Sequence, residues 1–337
     1  MGRNRKKPFL YIFVIGLLCI VASVSVICWY DAHYSNKSDS LAAQGNSEDE
    51  IPANTDKVTD KTIDDVTGEP TDSAEPESNQ DSEGEVSLIN PAGKTVAERI
   101  LTPEGFERVE NPGGFGKFLR NYPVYKDGKK VKLYDGRDKG NQSAQVAVLK
   151  MKLVDGDLQQ CADSVMRLYA EYYYQAGQYG KIRFHLVNGF AVDFDRWQQG
   201  WRVSVNGDDT SWTASASPSD SKQVFEQYLR FVFAYASTLS MEKESKRIKK
   251  SQIQAGDIFI YGGSPGHVVM VMDVCENEAG EKAFLLGQGY MPAQQFHVLK
   301  NPLHENDPWY YVSELTYPLD TPEYSFDKGS LRRPEYN

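Results

Sequence analysis

Apolar and polar positions divide the chain into an apolar N-terminal run, a polar stretch and a long part with regular periodicity. The run from Phe9 to Tyr30 contains no charged residue. A helix of that length reaches about 33 Å, enough to cross a hydrocarbon core of about 30 Å. Basic residues precede it, which predicts a cytoplasmic N-terminus. We therefore predict a single-pass signal anchor over 1–34 whose residues 9–30 contact the lipid bilayer. A cleaved signal peptide is the alternative.

Residues 35–87 have almost no apolar side chains to bury. Fifteen acidic residues and two lysines fall between Asp39 and Glu85, so the net charge of this stretch is more negative than the −10 of the whole chain. Such a composition predicts an acidic disordered tether. The rest of the chain is close to neutral and has no clustered basic face, which argues against a nucleic-acid-binding protein. Its most basic run, KESKRIKK (243–250), is predicted to be a solvated helix end.

Regular periodicity begins near residue 88 and predicts one extracytoplasmic domain over 88–337. In DLQQCADSVMRLYAEYYYQAG (157–177), Cys161, Val165, Leu168 and Tyr172 share one helix face, and Asp157 is the predicted N-cap. The other predicted elements are short helical turns in TVAERIL and FGKFLRNY, a helix over 219–240, and strands over 144–153, 257–261, 267–274 and 283–289. Helices followed by antiparallel strands predict an α+β fold.

Two residues in this domain have the chemistry and the placement of a catalytic pair. Cys161 falls in the first turn of a predicted helix, where unpaired amides and the helix dipole stabilise a thiolate. His267 begins a predicted strand directly after the turn GGSPG. A simple hairpin that pairs Val274 with Ala283 places Gln288 and Tyr290 on the same sheet face as His267. Gln288 would then accept from one imidazole nitrogen and leave the other for the thiol.

Several alternatives stay open at this point. Cys161 could be an ordinary core residue or could pair with Cys275 in a disulfide. His267 could be a turn residue bonded to a carbonyl, and His297 is a rival base. Two histidines with Asp257 or Asp273 could bind a metal, but no spacing resembles a zinc motif, and GGSPGH lacks the residues of a phosphate-binding loop. We therefore predict neither a metal nor a cofactor.

The positions of the aromatic residues indicate which kind of substrate the domain could bind. Trp197, Trp201 and Trp212 fall in a polar stretch that is predicted to be a loop, and Trp309 lies in the PWYY string. Exposed aromatic faces suit sugar or extended peptide, whereas clustered aromatic residues are typical of a core. The predicted substrate-binding residues are Ser264, Gly266, Tyr290 and Trp309.

The second half of the candidate site resembles the NlpC-type papain-like cysteine amidopeptidases. Gly256 and Asp257 match their Gly-Asp strand start, and Gly266 and His267 match their Gly-His step. The cysteine context QQCADS differs from the Asp-Cys-Ser-Gly type of those enzymes, and it lies farther from the histidine than in them. This resemblance implies a papain-like helix packed on an antiparallel sheet and a cysteine hydrolase.

A second resemblance covers roughly 98–333. The strings DLQQCAD, GDIFIYGGSPGH, GYMPAQ, HVLKNP, PWY and TPEY look like an uncharacterised bacterial envelope family, a domain of unknown function. That family brings no established activity.

Together these patterns give one hypothesis and one alternative. The hypothesis is a membrane-anchored cysteine amidase that acts on cell-wall peptide, with peptidoglycan or another envelope polymer as partner. Cys161 is its predicted nucleophile, His267 its base and Gln288 the residue that orients the ring. Amides at the helix start would stabilise the oxyanion. The alternative is a non-catalytic binding or structural module with the same fold.

Overall fold

The computed structural model describes residues 87–109, 114–207 and 209–336. The predicted signal anchor and all but the last residue of the predicted tether lie outside the described residues. No helix within the described ranges combines the length and the apolar character needed to cross a membrane.

Short helices and many strands alternate along the described chain. The helices are α1 (Val96–Arg99), α2 (Phe115–Arg120), α3 (Cys161–Gln175), α4 (Phe194–Gln198), α5 (Lys222–Tyr235) and α6 (Thr238–Lys243). The first strands are β1 (Phe106–Arg108), β2 (Gln145–Val148), β3 (Arg183–His185), β4 (Ala191–Asp193), β5 (Trp201–Asn206), β6 (Asp209–Ala214), β7 (Ser245–Arg247) and β8 (Ile258–Tyr261). The remaining strands are β9 (His267–Asn277), β10 (Lys282–Gln288), β11 (His297–Leu299), β12 (Tyr310–Tyr311), β13 (Leu319–Asp320), β14 (Ser325–Phe326) and β15 (Leu331–Pro334).

Nine strands of the described chain form one antiparallel sheet. Its order is β2-β11-β10-β9-β8-β15-β7, with β1 beside β9 and β12 beside β10. The other strands form the hairpins β3-β4, β5-β6 and β13-β14. A mixed α+β fold with a large antiparallel sheet is therefore confirmed. The sheet is not formed by C-terminal strands alone, however, because it includes β1 and β2, which precede α3 in the chain.

The two faces of the sheet bury different sets of side chains. Alternate residues of a strand point to opposite faces. Val268 and Met270 of β9 pack in the core that contains the first half of α3. Val269 and Val271 pack in a second core, on the other face, with Phe326 of β14. His267, two residues before Val269, therefore points to the β14 face.

The hairpin register differs from the predicted one at its closed end. Ala283 pairs with Cys275 rather than with Val274. A bulge between Leu285 and Leu286 shifts the pairing, so Gly287 faces Met270, as the predicted register requires. The bulge therefore restores the predicted register at the end of the hairpin that carries His267.

The two long helices have different boundaries from the predicted ones. α3 begins at Cys161 with Gln160 as its N-cap, so the prediction of Asp157 as N-cap was wrong. The Asp157 carboxylate instead accepts from the Gln160 side chain and from the amide of Ala293. The helix predicted over 219–240 is two helices, α5 and α6. The break lies at Ser237, whose hydroxyl accepts from the first turn of α6 and favours a new helix start.

Two polar stretches differ from their predictions, although the basic run 243–250 does begin at the end of α6. Trp197 lies in α4, and Trp201 and Trp212 lie in the β5-β6 hairpin instead of a loop. The guanidinium of Arg196 lies between the last two indole rings, 4.4 Å and 4.9 Å from their centroids. Part of the basic run 243–250 forms β7, a charged strand at the edge of the sheet, where charge opposes further strand pairing.

A buried carboxylate joins the N-terminal elements to the central strand. Asp273 of β9 accepts from Nε of Arg108 at 2.7 Å and from Nε of Arg120 at 2.6 Å. These arginines belong to β1 and α2, and Asp273 is fully buried. Removal of the charge leaves two partly or fully buried guanidinium groups without their carboxylate.

We expect Asp273→Asn to lower the free energy of unfolding by about 3 kcal/mol or more, because one partner of a buried ion cluster is lost. Chemical denaturation followed by circular dichroism measures this change. Asp138→Asn is the matched control, since the pairs that Asp138 makes with Lys130 and Lys132 are exposed. An equal and small effect of both substitutions would contradict the structural role of Asp273.

Candidate functional site

Cys161 is the first residue of α3, and its sulfur faces the beginning of β9. The carboxylate of Asp163 accepts a hydrogen bond from the amide of Gln160 at 3.0 Å and thereby caps the start of the helix. The amides of Ala162 and Val268 both interact with the thiol and act to lower its pKa. Val268 directly follows His267, so the fold brings the two predicted catalytic residues to the same end of the sheet.

The thiol nevertheless rests in its neutral form. Burial is the largest influence, followed by the negative charge of Asp163, and together they raise the pKa of Cys161 to about 12. Only 4% of the residue is exposed. The amides act in the direction that the sequence predicts, but they do not offset the desolvation of a buried thiolate. The helix start was expected to lower the pKa of the thiol, but burial raises it.

His267 opens β9 with its ring on the β14 face of the sheet. Its Nε2 atom lies 2.8 Å from Oε1 of Gln288. The ring packs against Tyr290, Tyr324 and Phe326, with centroid distances of 4.7, 4.9 and 5.9 Å. Only 2% of the residue is exposed. Burial lowers the pKa of His267 to about 4, so the ring is neutral near pH 7.

The thiol and the imidazole lie at the same strand end, but no hydrogen bond joins them. Cys161 contacts the backbone of Val268 from the α3 face, whereas His267 points to the other face. No hydrogen bond joins the two side chains, both of which the structure describes. Tyr324 is near both, because it packs on the His267 ring and its pKa is raised in part by Cys161. The two side chains therefore lie on opposite faces of the sheet at the start of β9, with Tyr324 near each of them.

Gln288 is part of a buried polar network behind His267. Its Nε2 atom donates to Glu323 Oε2 at 2.8 Å and lies 3.3 Å from His297 Nε2. Lys139 Nζ also donates to Glu323 Oε2, at 2.6 Å. Burial alone would raise the pKa of Glu323, but His297 and Lys139 outweigh it and hold the pKa at about 2. His297, the rival base, thus lies one layer behind His267.

A cleft of about 310 Å³ lies in front of the thiol. Ser264 and Gly266, two predicted substrate-binding residues, line it together with Cys161, Asp163 and Thr238. A Cβ atom at Gly266 would overlap the Thr238 hydroxyl and the backbone of Tyr261 and Gly263. Glycine at this position therefore lets the turn before His267 pack against α6 and form one wall of the cleft.

The other two predicted substrate-binding residues have different positions. Tyr290 packs against the His267 ring. Trp309 is fully buried, and its indole nitrogen donates to the carbonyl of Leu101 at 2.8 Å. The structure therefore places Trp309 in the core and not at a surface that contacts substrate.

Residues 96–333 match the family described as domain of unknown function (4846). The chain belongs to this family. The match confirms the resemblance carried by the strings from DLQQCAD to TPEY. Neither a curated protein nor a solved structure matches the chain. The likeness of this family member to NlpC-type enzymes stays a prediction.

The disulfide and metal alternatives find no support in the described parts of this family member. Cys161 and Cys275 are both free. Cys275 lies seven positions after Val268 in β9, about 23 Å at the usual rise of a strand, which is too far for a disulfide. No group of three metal-ligating side chains occurs among the described residues. Asp257 binds Arg333, and Asp273 binds the two arginines named above.

Asp163, Glu323, Tyr324 and Lys139 belong to the site but were not predicted from the sequence. Asp163 stands in the quoted string QQCADS, and Glu323 and Tyr324 stand in TPEY, so the strings contained a signal for them. Lys139 stands in no such string and is far from Glu323 in sequence. Only the tertiary structure brings it to the network.

We expect Asp163→Asn to make Cys161 more reactive, because a negative charge that raises the pKa of the thiol is removed. Burial raises the pKa of Asp163 itself to about 8, so the gain should be largest above that pH, where the carboxylate is ionised. Alkylation by iodoacetamide should accelerate roughly threefold to tenfold, as resolved for each cysteine by mass spectrometry. Cys275, whose pKa burial also raises to about 12, is the internal control and should not change. Equal rates in both proteins would contradict this charge effect.

We also expect His267 to make stability depend on pH. Its folded pKa of about 4 lies below the ordinary value of 6.5, so between these values the unfolded chain binds a proton that the folded chain does not. The free energy of unfolding should therefore fall as the pH drops through this window. His267→Gln should reduce the difference between pH 7 and pH 4 by about 3 kcal/mol. His304→Gln, at a partly exposed ring, is the control, and denaturant titrations at the two pH values measure the difference.

Proposed function

We propose that the protein is a cysteine hydrolase of papain-like arrangement that cleaves amide bonds in cell-wall peptide or a related amide. It would act outside the membrane, held there by residues 9–30. The observation that carries the proposal is the 2.8 Å contact between His267 and Gln288 at the strand end where Val268 contacts the Cys161 thiol. A nucleophile, a base and a residue that orients the base are the parts that such a reaction needs.

The proposed roles follow from the protonation states. The Gln288 carbonyl oxygen accepts from His267 Nε2, so Nδ1 carries the lone pair. Because the thiol and the imidazole are both neutral at rest, the proton moves from sulfur to Nδ1 as the sulfur attacks the carbonyl carbon. The imidazolium then protonates the leaving amine, and a thioester remains. Water hydrolyses the thioester with His267 as base, which releases the acid and restores the thiol.

Amides of the α3 start support the charged states of this sequence. The Ala162 and Val268 amides already favour negative charge at the Cys161 sulfur. Donors at the same place can stabilise the oxyanion that forms on the substrate carbonyl. The missing bond between the thiol and the ring is compatible with the roles, since catalytic hydrogen bonds often tighten only in the substrate complex.

One observation favours a different class of function. The thiol is almost entirely buried and its pKa is high, as in a core cysteine. In that case the cleft beside Ser264 and Gly266 would bind an envelope polymer without cleaving it. The two functions differ in what happens to a bound peptide.

The test is hydrolysis of purified cell-wall peptides by the full chain. Cys161→Ala should lower the rate at least about 1000-fold, because the nucleophile is lost. His267→Gln should lower it by about 100-fold or more, since general-base catalysis is lost. Cys275→Ala, which removes the other described free cysteine, should leave the rate unchanged.

The same experiment separates the two functions. Wild-type turnover by Cys161→Ala would exclude the proposed mechanism. Peptide binding without cleavage by the wild-type protein, with the same affinity in Cys161→Ala, would instead establish the binding module.

A further inference from the structure

We propose that Glu323 is a positioning residue: it fixes the orientation of the Gln288 side-chain amide and thereby selects the His267 tautomer whose Nδ1 is basic. The inference rests on the proposed function for its catalytic meaning. The positioning role itself can be tested without any activity. It involves the side chains of Lys139, Glu323, Gln288 and His267, which come from four separate parts of the chain.

The first step is the ionised state of Glu323. Lys139 Nζ lies 2.6 Å from Oε2, and both side chains are largely buried, with 7% and 11% exposed. The other oxygen, Oε1, accepts from Asn141 at 3.1 Å. An ionised carboxylate can accept hydrogen bonds but cannot donate them. Whatever side chain meets Oε2 on its remaining side must therefore present a donor.

The second step is the orientation of the Gln288 amide. Its nitrogen lies 2.8 Å from Glu323 Oε2 and 3.3 Å from His297 Nε2. His297 Nδ1 lies 3.0 Å from the carbonyl of Gln295, an acceptor, so Nδ1 carries a hydrogen. The contact with Glu323 decides the orientation, because the carboxylate can only accept and the nearer Gln288 atom must therefore be the nitrogen. A flipped amide would place its oxygen 2.8 Å from a carboxylate oxygen.

The third step transmits this orientation to His267. With its nitrogen held by the Glu323 carboxylate, Gln288 can present only its carbonyl oxygen to His267 Nε2, 2.8 Å away. Nε2 must then carry the hydrogen, and Nδ1 is left as the base. If the amide were free to flip, its nitrogen could donate to Nε2, and the ring would carry its hydrogen on Nδ1. That tautomer cannot accept the Cys161 proton at Nδ1.

The test reads the tautomer directly and requires no catalysis. The full chain is labelled with ¹⁵N in its histidine rings, and two-bond ¹H–¹⁵N correlation spectra distinguish the two tautomers. Wild-type His267 should show the Nε2–H form alone. Glu323→Ala should raise the Nδ1–H form to at least about one tenth of the molecules, because a charged hydrogen bond no longer opposes the flip.

Two further variants separate orientation from general damage. Glu323→Gln should keep the Nε2–H form, since Lys139 and Gln288 donate to the same oxygen position and hold an amide oxygen there. The double variant Lys139→Met/Glu323→Gln removes that second donor with little change in volume and no unpaired charge. It should show the Nδ1–H form, and it decides the question if Glu323→Ala does not fold.

The outcomes for the site and for the function are distinguishable. An unchanged Nε2–H tautomer in both Glu323→Ala and the double variant would overturn the positioning role, whatever the activity. A tautomer change in a protein that cleaves no peptide would confirm the positioning role and reject the hydrolase. Where activity is present, Glu323→Ala should lower kcat about 10-fold to 100-fold with KM within about twofold, and Glu323→Gln should restore most of it.

Discussion

The need to satisfy buried polar groups without water governs the end of the sheet where His267 lies. His267, Gln288 and His297 come from three adjacent strands, and each is almost completely buried. Without hydrogen-bond partners, each of these buried groups would destabilise the folded state. The network meets this demand because each donor faces an acceptor, from Lys139 through Glu323 to Gln288 and His267. The order of donors and acceptors follows from the carboxylate of Glu323, which can only accept.

Strand alternation was enough to predict the centre of this network. The spacing of His267 and Gln288 around a presumed hairpin placed the two on one sheet face, and the structure joins them by a hydrogen bond. The predicted register was wrong at the closed end, where Cys275 replaces Val274 opposite Ala283. Nothing in a run of buried apolar residues marks a bulge, because every residue of such a run suits either face. A run of apolar residues is enough to predict a buried strand, and with it the α+β class, but it does not show where an extra residue enters the strand.

The rest of the site depends on distant parts of the chain. Lys139 and Glu323 meet only because the segment before β2 and the turn between β13 and β14 cover the same sheet face. The pKa of Cys161 was predicted with the wrong direction, since the helix start is visible in the sequence while the depth of burial is not. Trp309 shows the same limit: its string marks an aromatic residue, but only packing decides whether the ring meets solvent or core.

The division of the sheet into two faces restricts how any chemistry can occur. Cys161 lies on the α3 face and the His267 ring on the β14 face, so the backbone of β9 separates them everywhere except at its start. The turn before that start is rich in glycine, and Gly266 packs where no Cβ atom fits. The cleft that Cys161 lines has this turn as its wall. In the proposed function, a carbonyl held in this cleft would lie beside the Cys161 thiol. Residues 263–266 line the cleft and lead directly into His267, so a change in this turn should alter the shape of the cleft and the start of β9 together.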